Sequence, residues 1–237
     1  MTARAGLLHT VPGLAGTFQS AVLRRLPDAE LVHLADPEML ATAVRTGVTP
    51  AVRERVARHL RYLVDAGADA VLVTCSSIGE AVEEAAQTLP VPILRVDAPM
   101  AAEAVELAAD AGRSAGRPGR IAVLATLAAT LGPTGRLIER AAAEAASDVT
   151  VTARVVEGAV AARDAGDRAG HDRLIRQAVG EAEADVIVLA QASMAAAAVD
   201  AGAVAPVLTS PEGGVGALAD ALAGAVAQAG STASAAS

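Results

Sequence analysis

The sequence predicts an α/β fold built as two similar lobes of parallel strands and covering helices. Three observations carry this. Short runs rich in Val, Ile and Leu alternate with longer helical patterns through the chain. Most of these runs are continuously apolar, as strands are when helices cover both faces of a parallel sheet. The chain also repeats itself. ADAVLVTCSSIGEAV (68–82) lies over ADVIVLAQASMAAAA (184–198) at an offset of 116 residues (184 − 68). The same offset lays LLHTVPGLAG (7–16) over VLATLAATLG (123–132), matching Thr10 with Thr126 and Gly16 with Gly132. VPIL (91–94) meets APVL (205–208) at nearly the same spacing. Several blocks in one register indicate a duplication, not a solenoid of many repeats.

In chain order, strands are expected at GLLHT (6–10), AELVHL (29–34), AVLVTC (70–75), PILRV (92–96), RIAVLAT (120–126), VTVTARVV (149–156), DVIVLA (185–190) and PVLTS (206–210). The clearest helix is TPAVRERVARHLRYLVDAG. Thr49 is its N-cap and Pro50 its first residue, Val52, Val56, Leu60 and Leu63 fall at helical spacing, and Gly67 is its stop. The charged residues of that segment form a solvated face. AGRSAGRPG (111–119) reads as a loop between the halves, and the low-complexity end, 229–237, as a disordered tail. The expected domains are therefore 1–97 with 213–228 as the first lobe and 98–212 as the second.

Composition narrows the function. The 237 residues are 53% hydrophobic, enough for a sizeable core, yet Phe18 and Tyr62 are the only aromatic residues. A chain without stacking faces and with a net charge of −8 is not a nucleic-acid binder. No apolar run reaches the roughly 18 residues of a membrane span, and MTARAGLLHTVPG lacks the continuous apolar region of a signal peptide. One cysteine makes no internal disulfide, so a reduced, cytoplasmic protein is expected. All 19 basic residues are arginines, which rules out Schiff-base chemistry on a lysine. No metal-ligand spacing and no glycine-rich nucleotide motif is present, so neither metal nor cofactor is expected.

The single thiol stands where chemistry is expected. Ligands of parallel α/β sheets bind beyond the C-terminal strand ends. Cys75 ends one strand, and its repeat partner is Gln191. Small polar residues follow each, Ser76 and Ser77 in one half and Ala192 and Ser193 in the other, and then a helix begins. Free N–H groups and the positive end of the helix dipole favour a thiolate and suit a bound carboxylate. A lone cysteine after an apolar strand is otherwise a small core residue; the paired position and the polar flanks weigh against that.

TCSSIGE after one strand, AQASM after its repeat, LLHTVPGL, ATLAATLGPT, GDRAGHDRLI and VLTSPEGGVGAL together resemble the aspartate/glutamate/hydantoin racemase superfamily, with this chain as a single-cysteine member. The resemblance covers nearly the whole chain. It implies two α/β lobes related by a pseudo-twofold, an active site in the interlobe cleft, and no cofactor. It also implies proton transfer at a carbon beside a carboxylate and a small-molecule carboxylate substrate, with a homo-oligomer common. Typical members carry one cysteine on each lobe. Here Gln191 replaces the second, and a neutral amide neither gives nor takes a proton at physiological pH.

The expected activity is that of an isomerase, a racemase or epimerase using Cys75, with Gln191 as a hydrogen-bonding substitute for the missing thiol. His9 is a possible second acid or base. One alternative is a single-cysteine lyase similar to the arylmalonate decarboxylases, whose cysteine lies on the other lobe. Another is a non-catalytic carboxylate-binding protein. Thr10, Ser76, Ser77, Thr126 and Ser193 are candidates for holding a carboxylate or enediolate, with turn or capping roles as equal alternatives. Asp172 is expected to cap a helix beside His171. Glu212–Gly213–Gly214 and Asp97 read equally as strand-end turns or as ligand neighbours.

Overall fold

The computed structural model describes residues 2–198 and 202–235. Two compact units emerge, one of residues up to Val96 together with those from Glu212, the other of Asp97–Pro211. The first contains β1 (Arg4–His9), α1 (Ala15–Arg25), β2 (Glu30–Ala35), α2 (Pro37–Thr46), α3 (Pro50–Asp65), β3 (Ala70–Val73), α4 (Gly79–Ala86) and β4 (Ile93–Arg95). The second contains α5 (Ala98–Ala115), β5 (Gly119–Ala125), α6 (Ala128–Glu144), β6 (Val149–Val155), α7 (Ala159–Asp164), α8 (Arg168–Gly180), β7 (Val186–Leu189), α9 (Ala195–Ala198) and β8 (Val207–Thr209). The last helix, α10 (Ser210–Ala235), starts at the end of β8 and from Glu212 belongs to the first unit.

Each unit holds one parallel four-stranded sheet, ordered β2-β1-β3-β4 in the first and β6-β5-β7-β8 in the second. The central strands β1, β3, β5 and β7 are buried along almost their whole length, which is why they read as continuous apolar runs. The edge strands β2 and β6 are only partly covered, and β6 alternates its apolar residues with Thr and Arg.

The duplication extends to single hydrogen bonds. Asp69 N–H donates to Arg4 O and Asp185 N–H to Arg120 O, both at 2.8 Å, again 116 residues apart. In each pair the aspartate carboxylate accepts the backbone N–H of the same arginine, also at 2.8 Å. An aspartate before the third strand of each lobe thus pins the base of the first. Bidentate hydrogen bonds from the Arg117 guanidinium, at 2.6 and 2.7 Å, together with the Arg120 N–H, hold the Asp185 carboxyl far below the usual carboxylate range.

Local signals behave as their physics requires. Thr49 accepts from Val52 N–H at the start of α3, Pro50 opens the helix, and Val52, Val56, Leu60 and Leu63 form its buried face. Gly67, just past its end, has φ +85°, a conformation that disfavours any residue with a Cβ. Of the two aromatic residues only Phe18 is buried, so the cores rest on aliphatic packing around Leu8, Leu60, Val71 and Ile78 in one lobe and Val123, Ile138 and Val188 in the other.

Two expectations are corrected. The loop expected over 111–119 is mostly helix: α5 runs to Ala115 and stops at Gly116, whose φ of +66° supplies the left-handed end, leaving only three residues before β5. The alanine-rich sequence sustains the helix past Gly112, which packs against the start of β5. The expected disordered tail begins as helix, because the backbone of 229–235 continues α10; Ala236 and Ser237 lie outside the described residues.

Candidate functional site

In the first unit the C-terminal ends of β1 and β3 lie side by side, since Thr74 N–H donates to Leu8 O at 3.0 Å. Cys75 follows in an extended conformation (φ −129°, ψ 112°) and is half-buried. A 3-10 turn over Ser76–Ile78 separates it from α4, so the thiol meets a tight turn instead of an α-helical N-terminus. Ser76, Ser77 and Thr10 are each about 95% or more buried around these strand ends.

Directly beneath the turn lies Arg95. A Cβ on Gly79 would come within 2.2 Å of its guanidinium carbon, so glycine lets the turn close over this side chain without displacing it. Arg95 is itself buried and pairs with Glu83 at 2.8 Å.

His9 ends β1 and is fully buried. Its tautomer follows from its partners. Thr74 Oγ1–H donates to Leu8 O at 3.2 Å, so the same oxygen accepts from His9 Nδ1–H at 2.9 Å. His9 Nε2 is then an acceptor and takes the Nδ1–H of His33 at 3.0 Å. The two rings stack with centroids 5.2 Å apart. Parallel register explains the meeting: His33 pairs with Leu7, two residues before His9 and on the same face of the sheet. His33 Nε2 is left buried as an acceptor without a partner among the described residues.

Burial, with the His33 charge second, pushes the His9 pKa down to about 4, and burial also lowers that of His33. With both nitrogens occupied and its neutral form favoured, His9 braces Thr74, the residue before Cys75, and presents neither nitrogen to a substrate. The acid–base role expected of it is corrected on this ground.

The lowered pKa has a sign that can be checked. Folding favours neutral His9, so its contribution is fully present above the unfolded value of 6.5 and is lost as pH falls through about 4. Between pH 7 and 5 this amounts to about 2 kcal/mol. The expected result is a falling urea midpoint over that interval in the native protein, and a flatter profile in His9→Asn.

A second network was not legible in the sequence. Asp36, buried after β2, caps α2 by accepting from Met39 N–H, takes two hydrogen bonds from Arg55 at 2.6 and 2.7 Å, and meets His59 Nε2 at 2.6 Å. Burial alone would raise its pKa. The bonds from His59, Arg55 and the Met39 N–H, with the Arg55 charge, outweigh this and hold the carboxyl below its usual range.

The second unit repeats the strand ends with different chemistry. Ala190 N–H donates to Leu124 O at 2.9 Å, as Thr74 does to Leu8, and Gln191 follows with φ −126° and ψ 132°, close to the values at Cys75. Another 3-10 turn, Ala192–Met194, comes next and contains Ser193. Gln191 Oε1 accepts three hydrogen bonds: Thr126 N–H at 2.6 Å, Thr126 Oγ1–H at 2.9 Å and Leu127 N–H at 3.2 Å. Thr126 thus donates its hydroxyl hydrogen to Gln191, the local role that was open to it beside ligand binding.

Other expectations change as well. Asp167, not Asp172, caps α8, accepting from Gly170 N–H at 2.8 Å, because it stands one residue before the helix. Asp172 instead pairs with His171 Nδ1 at 2.8 Å, and His171 Nε2 is buried without a partner among the described residues. Gly214 serves packing: a Cβ there would lie 2.7 Å from Val96 Cγ2, so α10 can approach the end of β4 only without one. Glu212 is largely exposed and faces Arg25 at 3.6 Å, while Asp97 is fully buried at the start of α5.

Comparison with known proteins follows the same line. The family model for Asp/Glu/Hydantoin racemase matches residues 9–218. Glutamate racemase isoform RacE1 from Bacillus anthracis aligns with a TM-score of 0.63 at 19% identity, covering 92% of this chain and 80% of that one. Aspartate racemase from Picrophilus torridus gives 0.64 at 14% identity, with 93% and 94% covered. A variant of arylmalonate decarboxylase gives 0.52 at 20% identity, with 92% and 93% covered. No curated protein matches the chain.

Proposed function

The chain belongs to the Asp/Glu/Hydantoin racemase family, and we propose that within it this protein is a cofactor-independent enzyme that moves a proton at a carbon beside a carboxylate, with Cys75 as the acid or base. The observation carrying this reading is the pair of equivalent strand ends: nearly the same backbone at Cys75 and Gln191, the same 3-10 turn after each, and a thiol at the first where the second has an amide. A thiol titrates close enough to neutrality to act in both directions, whereas an amide does not. Buried hydroxyls at Ser76 and Ser77 and the N–H groups of the turn are suited to stabilising the enediolate formed when the proton leaves.

Racemisation or epimerisation is the leading reaction because the structural relatives include glutamate and aspartate racemases. A specific observation favours a second reading, a one-thiol lyase. Gln191 supplies no second proton carrier, and an arylmalonate decarboxylase is also among the relatives by fold. In that reaction the carboxylate leaves as carbon dioxide with its bonding electrons left on carbon, and the thiol proton fills that position.

Incubation in deuterated water with chiral amino acids, hydroxy acids, hydantoins and substituted malonates, followed by proton NMR, separates the two. Exchange of the α-hydrogen with inversion establishes a racemase. Carbon dioxide release with one deuterium incorporated establishes the lyase. Silence across the panel overturns both in favour of a binding protein.

A further inference from the structure

The orientation of the Gln191 amide is fixed by its surroundings. Two of the groups on its outer oxygen, Thr126 N–H and Leu127 N–H, are backbone donors with no acceptor capacity. Only a carbonyl oxygen satisfies both, so the amide cannot be reversed without setting N–H against N–H. The Thr126 hydroxyl completes the set, and the oxygen then accepts three hydrogen bonds. The Nε2 group makes no hydrogen bond to any described residue, and the side chain is half-buried at the end of β7. Gln191 therefore offers a pair of N–H donors and no acceptor.

From this we infer that Gln191 is a fixed donor that recognises an acceptor oxygen of the ligand, a carboxylate or enolate, and selects against an ammonium group at the same place. A freely rotating glutamine would adapt to either chemistry. This one is held in the donor sense by the β5–α6 turn, through the residue, Thr126, that the repeat pairs with Thr10. The inference concerns binding at Gln191 and stands apart from the proposed reaction at Cys75.

Two substitutions separate the binding role from a merely structural one. In Gln191→Glu one carboxylate oxygen accepts the same three hydrogen bonds, and the other replaces the N–H pair by negative charge. In Gln191→Met both functions are lost. The probes are malonate and 1,3-diaminopropane, of similar length and opposite charge. Binding is read by titration in nitrogen-15 spectra, with the Gln191 amide signals assigned by their loss in Gln191→Met.

Malonate is expected to shift the Gln191 amide signals and to bind Gln191→Glu at least about tenfold more weakly, as expected when charge-assisted hydrogen bonds are replaced by repulsion. Diaminopropane is expected to favour Gln191→Glu over the native protein. Gln191→Glu should melt near the native temperature and Gln191→Met below it. Malonate leaving the amide signals unmoved, or binding both proteins equally, overturns the inference, as does a diaminopropane preference for the native protein. The titrations are repeated in Cys75→Ala. If the proposed reaction is wrong, isotope exchange survives that substitution, whereas the amide response to malonate tests Gln191 alone.

Discussion

Cys75→Ala is expected to lower turnover by on the order of 10²–10⁴-fold on any substrate found with the deuterium panel, the range for removing a positioned acid or base. KM should change little, because the turn N–H groups and the Ser76 and Ser77 hydroxyls remain. Cys75→Ser should fall nearly as far: a hydroxyl is isosteric but far less acidic than a thiol, so it neither ionises near neutral pH nor delivers a proton readily. Melting temperatures should stay close to native, since Cys75 is only half-buried and stands past the end of β3. The kcat against KM comparison checks this directly, and a Cys75→Ala enzyme with near-native kcat would remove the thiol from the mechanism.

The largest effect on stability is expected at Gly119. A Cβ there would lie 2.2 Å from the Ala108 carbonyl oxygen of α5, and one on Gly112 would lie 2.5 Å from the Gly119 nitrogen. Helix and strand meet backbone to backbone at this point, so no side chain can turn aside to make room. Gly119→Ala is expected to cost about 3 kcal/mol or more, at or above the upper end of ordinary overpacking. Gly224→Ala is the matched control. It sits inside α10 with nothing within 4 Å of the added carbon, and should be neutral or stabilise by about 0.5–1 kcal/mol through helix propensity alone. Thermal melts of the two variants beside the native protein give the comparison. Equal melting temperatures would show that α5 and β5 can separate at little cost.

The sequence by itself determined most of the frame. All eight expected strands are present, displaced by at most two residues at their ends; the central ones are buried on both faces and so must be apolar almost throughout, a pattern that is local. The offset of 116 residues survives down to the Asp69–Arg4 and Asp185–Arg120 bonds, since a duplicated chain keeps its register wherever the sheet depends on it. The places of Cys75 and Gln191 at matching strand ends were legible for the same reason.

Chemistry that depends on partners far apart in sequence was decided only by tertiary structure. Whether His9 titrates near neutrality depends on burial and on His33, brought beside it by the parallel register of β1 and β2. Thr126 was open to both a ligand-binding and a local role, and Gln191, 65 residues away, takes its hydrogen. The amide of Gln191 has two orientations of opposite chemical meaning, and two backbone N–H groups from the neighbouring turn select one of them. A hydrogen bond has direction, and that direction is set by what the fold places opposite each group.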